Sequence, residues 1–166
     1  MERGADDDGS FVRARVTLEP NARGAGLHLH PTLEERFEGV AGTAALRIGK
    51  EVRKLAPGDQ AVAPPGTPHA FSNTGSVPAV FTGEIRPASD EFLSFMAKLD
   101  SLTRAGQTKA DGRTGLLQGA VLFDEYLDVV ALPAVPLAIQ RFVFGLLAPL
   151  GRLRGYRAEP PAPEGA

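Results

Sequence analysis

The sequence predicts a mainly β fold followed by an α-helical C-terminal region, and three observations predict it. Between Phe11 and Pro87, short apolar stretches are separated by turn residues every eight to twelve positions, the spacing of a sandwich or barrel. Beyond Pro87 the apolar residues change to helical spacing. The 166-residue length suits one domain with a proper core, and 43% hydrophobic with 23% charged residues is ordinary for a soluble globular protein.

Residues 1–10, MERGADDDGS, are acidic and polar, and read as a flexible N-terminal arm with no apolar segment of a secretory signal. From Phe11 to Leu18 the pattern alternates: Val12, Ala14, Val16 and Leu18 share one face, and Arg13, Arg15 and Thr17 share the other. Asn21 to Gly26 is a glycine-rich turn, and Leu27 to His30 reads as a strand. Glu35 to Val40 and Thr43 to Ile48 are two more strands, and Gly49-Lys50 makes a tight hairpin into Glu51 to Leu55. Pro57-Gly58-Asp59 turns into a short strand, Gln60 to Ala63. Pro64, Pro65 and Pro68, with preset φ, then hold the chain stiffly before His69. Val80 to Ile85 is the last strand.

The second region opens with Ser89 as an N-cap, Asp90 and Glu91 in a first turn, and Phe92, Met96, Leu99 and Leu102 at helical spacing as far as Gly106. Residues 106–115 read as a loop. Leu116 to Leu132 is a second helix, with Leu122, Tyr126 and Val129 on one face and Asp124, Glu125 and Asp128 on the other. Pro133 and Pro136 kink the chain before an apolar helix from Leu137 to Leu153. The expected layout is an arm over 1–10, a β domain over 11–87, a helical extension over 88–157 on the barrel or a dimer interface, and a disordered tail over 158–166.

The chain's three histidines, His28, His30 and His69, all lie in the stretch from Gly26 to Asn73. His28 and His30 are two apart, which on a strand puts both imidazoles on one face. Glu35 follows beyond the break at Pro31. Three imidazoles and one carboxylate on neighbouring strands make a four-ligand site for a divalent transition metal. By parity, Phe37 shares a face with Glu35 and Phe71 with His69. Both are candidate substrate-binding residues, or simple fillers of the barrel.

These residues stand in two motifs that resemble the signatures of the cupin superfamily. The first is H-x-H, four residues, Glu, six residues, Gly: His28, His30, Glu35 and Gly42. The second is Gly, five residues, P-x-G, two residues, His, three residues, Asn: Gly58, Pro64, Gly66, His69 and Asn73. One departure is Ala22, where a glycine usually stands six residues before the first histidine; Gly24 and Gly26 are close by. The motifs cover residues 24–73, and the C-terminal half lies outside the resemblance. The resemblance implies a single cupin-type jelly-roll β-barrel with His28, His30, Glu35 and His69 as metal ligands. Its E-x-F ending, Glu35-Arg36-Phe37, selects Glu35 over the neighbouring Glu34.

Nitrogen-rich ligation with one carboxylate suits Fe2+, Mn2+, Ni2+, Zn2+, Co2+ or Cu2+, and suits magnesium or calcium poorly. Similar cupins include dioxygenases, isomerases, lyases and cyclases. The favoured reading is an iron-dependent, dioxygenase-like oxidoreductase acting on an organic small molecule. The alternatives are a non-redox isomerase, lyase or cyclase, a non-catalytic small-molecule-binding barrel, and an interaction protein that docks through its helices. With all histidines used as ligands, an acid or base must be a carboxylate, a tyrosine or metal-bound water; Glu84 on the last strand is a candidate, against the plainer reading of an exposed face residue.

Other classes are excluded or unsupported. A net charge of −2 and the lack of a basic run argue against nucleic acid. No cysteine is present, which removes disulfides, thiolate metal sites and cysteine nucleophiles and is compatible with a cytoplasmic location. The apolar segment from Val129 to Gly151 is interrupted by Pro133, Pro136 and Pro149, and a central Arg141 would cost about 2.5–3.5 kcal/mol on insertion scales. It is expected to pack on the barrel or between subunits of a homodimer. An interfacial membrane helix through residues 133–157 is the rival, since Arg152, Arg154 and Arg157 follow the apolar run.

Overall fold

Alternating side chains, short strands and turn glycines give eight strands in the N-terminal half, and three amphipathic segments give helices in the C-terminal half. The computed structural model describes residues 1–109 and 113–158. The chain divides after Asp90 into two compact units. The tail expected to be disordered lies, from Glu159 onward, outside the described residues.

The first unit contains β1 (Glu2–Asp6), β2 (Gly9–Leu18), β3 (Glu34–Ala41), β4 (Ala44–Ile48), β5 (Glu51–Leu55), β6 (Gln60–Ala63), β7 (His69–Ser72) and β8 (Ala79–Arg86). One sheet has the order β1-β2-β8-β3-β6 and the other β5-β4-β7, and every pairing between them is antiparallel. The register confirms the alternation read for β2. Val12, Ala14, Val16 and Leu18 pair with Ile85, Gly83, Phe81 and Ala79, while Arg13 and Arg15 oppose Glu84 and Thr82. The core lies between the sheets: Leu18, Phe37, Ala61, Ala63 and Phe81 from the larger one meet Ala44, Leu46 and Leu55 from the smaller. Sandwiches of this kind bury one face of each sheet and leave the other to water.

Three expectations change. The sheets form a sandwich and not a closed barrel, because no ladder joins β6 to β7. Pro64, Pro65 and Pro68 lie between those strands and offer no backbone N–H for a ladder. The expected flexible arm over residues 1–10 is instead a hairpin, with β1 paired to β2 from Glu2↔Arg13 to Asp6↔Gly9. Its pairing relies on backbone and charge, so no apolar pattern advertises it: Arg86 forks onto Asp6 at 2.7 and 2.5 Å, and Arg3 reaches Asp90 at 2.7 Å. Finally, Leu27 to His30 is not a full strand. Gly26 and Pro31 bound it closely, and its pairing is bridge-like: His28 and His69 exchange N–H···O bonds of 3.1 and 2.8 Å.

The second unit contains α1 (Asp90–Arg104), α2 (Leu116–Tyr126) and α3 (Leu137–Leu153). Gly106, at φ 69°, follows α1 as expected. The second helix ends at Tyr126, six residues sooner than the pattern suggested. The chain from there is held by Gln140, whose amide accepts from the Leu132 N–H at 3.0 Å and donates to the Leu132 and Val135 carbonyls at 2.8 and 2.6 Å. Those bonds replace helical ones. Against α2, α3 buries Gln140, Phe144, Ala148 and Gly151, with Phe144 stacked on Phe123 at 5.4 Å. Among the described residues, no helix is long and apolar enough to cross a membrane.

Candidate metal centre

One strand from each sheet and the loop before β3 bring four donors to one place. Glu35 sits on β3 between Ala63 of β6 and Ile85 of β8, so its neighbours on both sides are apolar. His69 opens β7 opposite Ile48. The proline-rich turn before it is pinned to the opposite wall: the Gly66 N–H donates to the His30 carbonyl at 2.7 Å, and the Gly49 N–H to that of Pro68 at the same distance. Gly66 at φ 74° is a backbone shape that a side chain would strain. The turn therefore ties the His30 and His69 segments together before any ligand is considered.

One ligand atom from each of His28, His30, Glu35 and His69 lies within 4.8 Å of all the others. The His28 and His69 rings stand 4.3 Å apart, and His30 lies 5.1 and 5.2 Å from them. The Nδ1 of His28 donates to the Gly26 carbonyl at 2.8 Å, and that of His69 to Thr67 at 2.9 Å. A carbonyl only accepts, so these bonds put the proton on Nδ1 and leave the Nε2 lone pair free to ligate, the arrangement found around metal-bound histidines. Glu35 Oε2 lies 2.8 Å from His69 Nε2 and 3.3 Å from His30 Nε2. Yet Glu35 Oε2 and His69 Nε2 are buried with no hydrogen bond. Two buried acceptors facing each other call for a cation between them.

The electrostatics agree. Burial pushes the His28 imidazole down to about 4, helped by His69 and His30, so it stays neutral and able to ligate. Burial works to raise the Glu35 carboxyl, but His30 and His69 overcome it and hold the group down at about 2. Burial also works to lower His69, and Glu35 beside it raises it instead. The site favours a carboxylate with positive charge next to it. Its donor set, three imidazoles and one carboxylate, fits a divalent transition metal.

Around the donors the walls are aromatic. The Phe37 ring lies 5.9 Å from that of His69 and 6.4 Å from that of Phe71. Phe81 completes the cluster, 6.0 Å from Phe37 and 5.0 Å from Phe71. Sequence reasoning passed over Phe81, although its alternation with Gly83 and Ile85 along β8 put it on the same inner face. Asn73 is structural: its amide donates to the Leu18 and Val77 carbonyls at 3.0 and 2.7 Å and accepts from Gly75 at 2.8 Å.

Two carboxylates are removed from consideration. Glu34 is held by Arg36 at 2.6 Å. Glu84 is buried on the opposite face of its sheet, where it takes Arg13 Nε at 2.8 Å and Arg86 Nε at 2.5 Å. Both guanidinium groups lie over the Phe11 ring, at 4.5 and 4.9 Å. A carboxylate so committed cannot serve the metal centre as a base.

Residues 14–83 match the sequence profile of the cupin domain. No curated protein matches the chain. Among solved structures, the chain is similar to a protein of Thermus thermophilus, with 28% identity over 48% of this chain and 74% of that one and a TM-score of 0.45. It is also similar to a sugar phosphate isomerase from Silicibacter pomeroyi, with 30% identity over 45% of this chain and 49% of that one and a TM-score of 0.43. A DMSP lyase from Ruegeria pomeroyi is 28% identical over 48% of this chain and 39% of that one, with a TM-score of 0.42. The chain thus spans about half or less of the isomerase and the lyase, and each likeness covers less than half of this chain.

Proposed function

We propose that the chain, whose residues 14–83 match the cupin profile, is a metal-dependent enzyme acting on an organic small molecule by dioxygenase-type oxidation. The observation that carries this reading is the convergence of the three imidazoles and Glu35 within 4.8 Å, with Glu35 Oε2 and His69 Nε2 buried and without a hydrogen bond. His28, His30, Glu35 and His69 would hold iron(II) by preference, or manganese, cobalt, nickel, copper or zinc. Such an ion, when bound, supplies Lewis acidity and, for iron, activation of dioxygen.

The residues supply position and exclusion. Gly26 and Thr67 fix the tautomers of His28 and His69 through their carbonyls, so the ring nitrogens are set before metal arrives. Phe37, Phe71 and Phe81 keep water from one side of the donors and offer an apolar wall to a small organic substrate. Isomerase or lyase chemistry needs a proton carrier. Here every histidine belongs to the donor set, Glu84 is tied to Arg13 and Arg86, and the three phenylalanines carry no proton. Such chemistry would have to draw on metal-bound water, which oxidation at the metal does not require.

Oxygen uptake by the iron-loaded protein against a panel of small organic acids and phenols tests this. Substrate-dependent uptake that disappears in Glu35→Gln supports the reading. Turnover of a substrate without oxygen uptake would replace it with isomerase or lyase chemistry, and ligand binding without turnover would make the domain a binding module.

A further inference from the structure

The third helix carries two apolar faces, and only one of them is used within its unit. Gln140, Phe144, Ala148 and Gly151 recur at four, four and three residues and are buried with α2. A second stripe, Ile139, Phe142, Val143, Leu146, Leu150 and Leu153, lies open to water, with Phe142 68%, Leu146 62% and Leu153 86% exposed. These six side chains present on the order of 600 Å² of apolar surface, the upper end of what a monomer leaves bare. A standard protein interface takes about 800 Å² from each partner. One helix supplies most of that.

We propose that this stripe is a self-association surface, and that a second copy of the chain covers it through an antiparallel pairing of α3 with α3 about a two-fold axis at Leu146. The order of residues carries the choice of partner. Ile139 and Leu153 stand seven residues on either side of Leu146, and Phe142 and Leu150 stand four on either side. Turned end for end, the stripe therefore matches itself: Ile139 meets Leu153, Phe142 meets Leu150, and Leu146 meets its own copy. An isologous interface needs this self-complementarity.

Charge agrees with the antiparallel sense. The helix has no acidic residue, and Arg152, Arg154 and Arg157 gather at its C-terminal end. Parallel pairing would bring the two arginine groups together. Antiparallel pairing separates them by the length of this 17-residue helix, about 25 Å at 1.5 Å per residue, beyond the roughly 8–10 Å reach of charge at ordinary salt. A lipid surface fits less well. A helix lying in a bilayer interface turns a charged face to water, whereas the far side of α3 packs on α2, and Arg141 and Arg152 are held by Asp128 at 2.7 Å and Asp124 at 3.0 Å.

Sedimentation velocity and light scattering on the full chain, with single-cysteine crosslinking, test the pairing. The expected mass is twice the 17.5 kDa of one chain, and Leu146→Glu should halve it with an unchanged circular dichroism spectrum. Because the protein has no cysteine, Leu146→Cys introduces one thiol that should form a covalent dimer on oxidation. Ile139→Cys alone should not, since its own copy would lie about 20 Å away by helical rise. A monomeric wild type overturns the proposal, as does a dimer that survives Leu146→Glu or crosslinks equally well through Ile139→Cys. A monomer that binds phosphatidylserine vesicles, and loses them in Leu146→Glu, would assign the stripe to a lipid surface instead.

Discussion

His28 and His69 are set by backbone carbonyls outside the donor set, and Glu35 by the imidazoles inside it. Burial raises the cost of charge, so only a carboxylate surrounded by imidazoles stays ionised there, and Glu35 is held at about 2 for that reason. Replacing it with glutamine keeps the shape and removes the charge. Metal affinity in Glu35→Gln should fall by at least the roughly 10–100-fold that losing an outer partner of a ligand costs. Titration with manganese followed by calorimetry would show it, and unchanged affinity would remove Glu35 from the ligand set. At this scale the sequence was informative, because two histidines on one face and a third behind a stiff proline turn can be read from spacing alone. Phe81 shows the limit: alternation put it inside, but nothing in the spacing said which buried phenylalanine would neighbour Phe37 and Phe71. Phe37, 2% exposed in the core, is a packing residue as well as a wall. Phe37→Ala should therefore destabilise the domain by about 3–5 kcal/mol, measurable by urea unfolding.

Among the elements, strands with an apolar face were legible and strands held by charge were not. The β2 alternation appears in its register with β8, residue for residue. The β1 hairpin escaped notice because its ties are Asp6 to Arg86 and Arg3 to Asp90, which leave no periodic mark. Asp6 is held below its ordinary 3.8 first by the Arg86 hydrogen bond. A carboxylate with a lowered folded value stabilises above its unfolded value, and that contribution fades as pH drops from about 3.8 through the lower folded value. Amide exchange in Glu2–Asp6 should accelerate over that acid window more than exchange in β8, and equal acceleration would contradict the tie. In the helices, Gly151 permits close approach: a Cβ there would stand 2.7 Å from Val121 Cγ2 and 2.9 Å from the Leu117 carbonyl. Gly151→Val should cost about 1–3 kcal/mol by overpacking α2 against α3, read as a lowered Tm. The early end of α2 had no signal short of Gln140, which takes over the linker's backbone bonds from outside the segment.

At the level of the whole molecule, the match to the cupin profile covers residues 14–83 of the first unit and leaves the second to its own physics. The motifs over residues 24–73 made the site legible because metal chemistry demands particular side chains at particular spacings. The sandwich's failure to close was not legible, since it depends on where backbone donors are missing between β6 and β7. The helices follow amphipathic patterns that any packed helix would show, so their existence could be read and their partners could not. The central claim is that four side chains of the first unit hold one transition metal. Elemental analysis by plasma mass spectrometry on protein purified anaerobically without chelators, wild type beside His69→Ala, tests it most directly. The account predicts about one metal ion per chain in the wild type, iron by preference, and loss of most of it in a variant that keeps its fold. No metal in the wild type after reconstitution, or equal metal in both proteins, would contradict it.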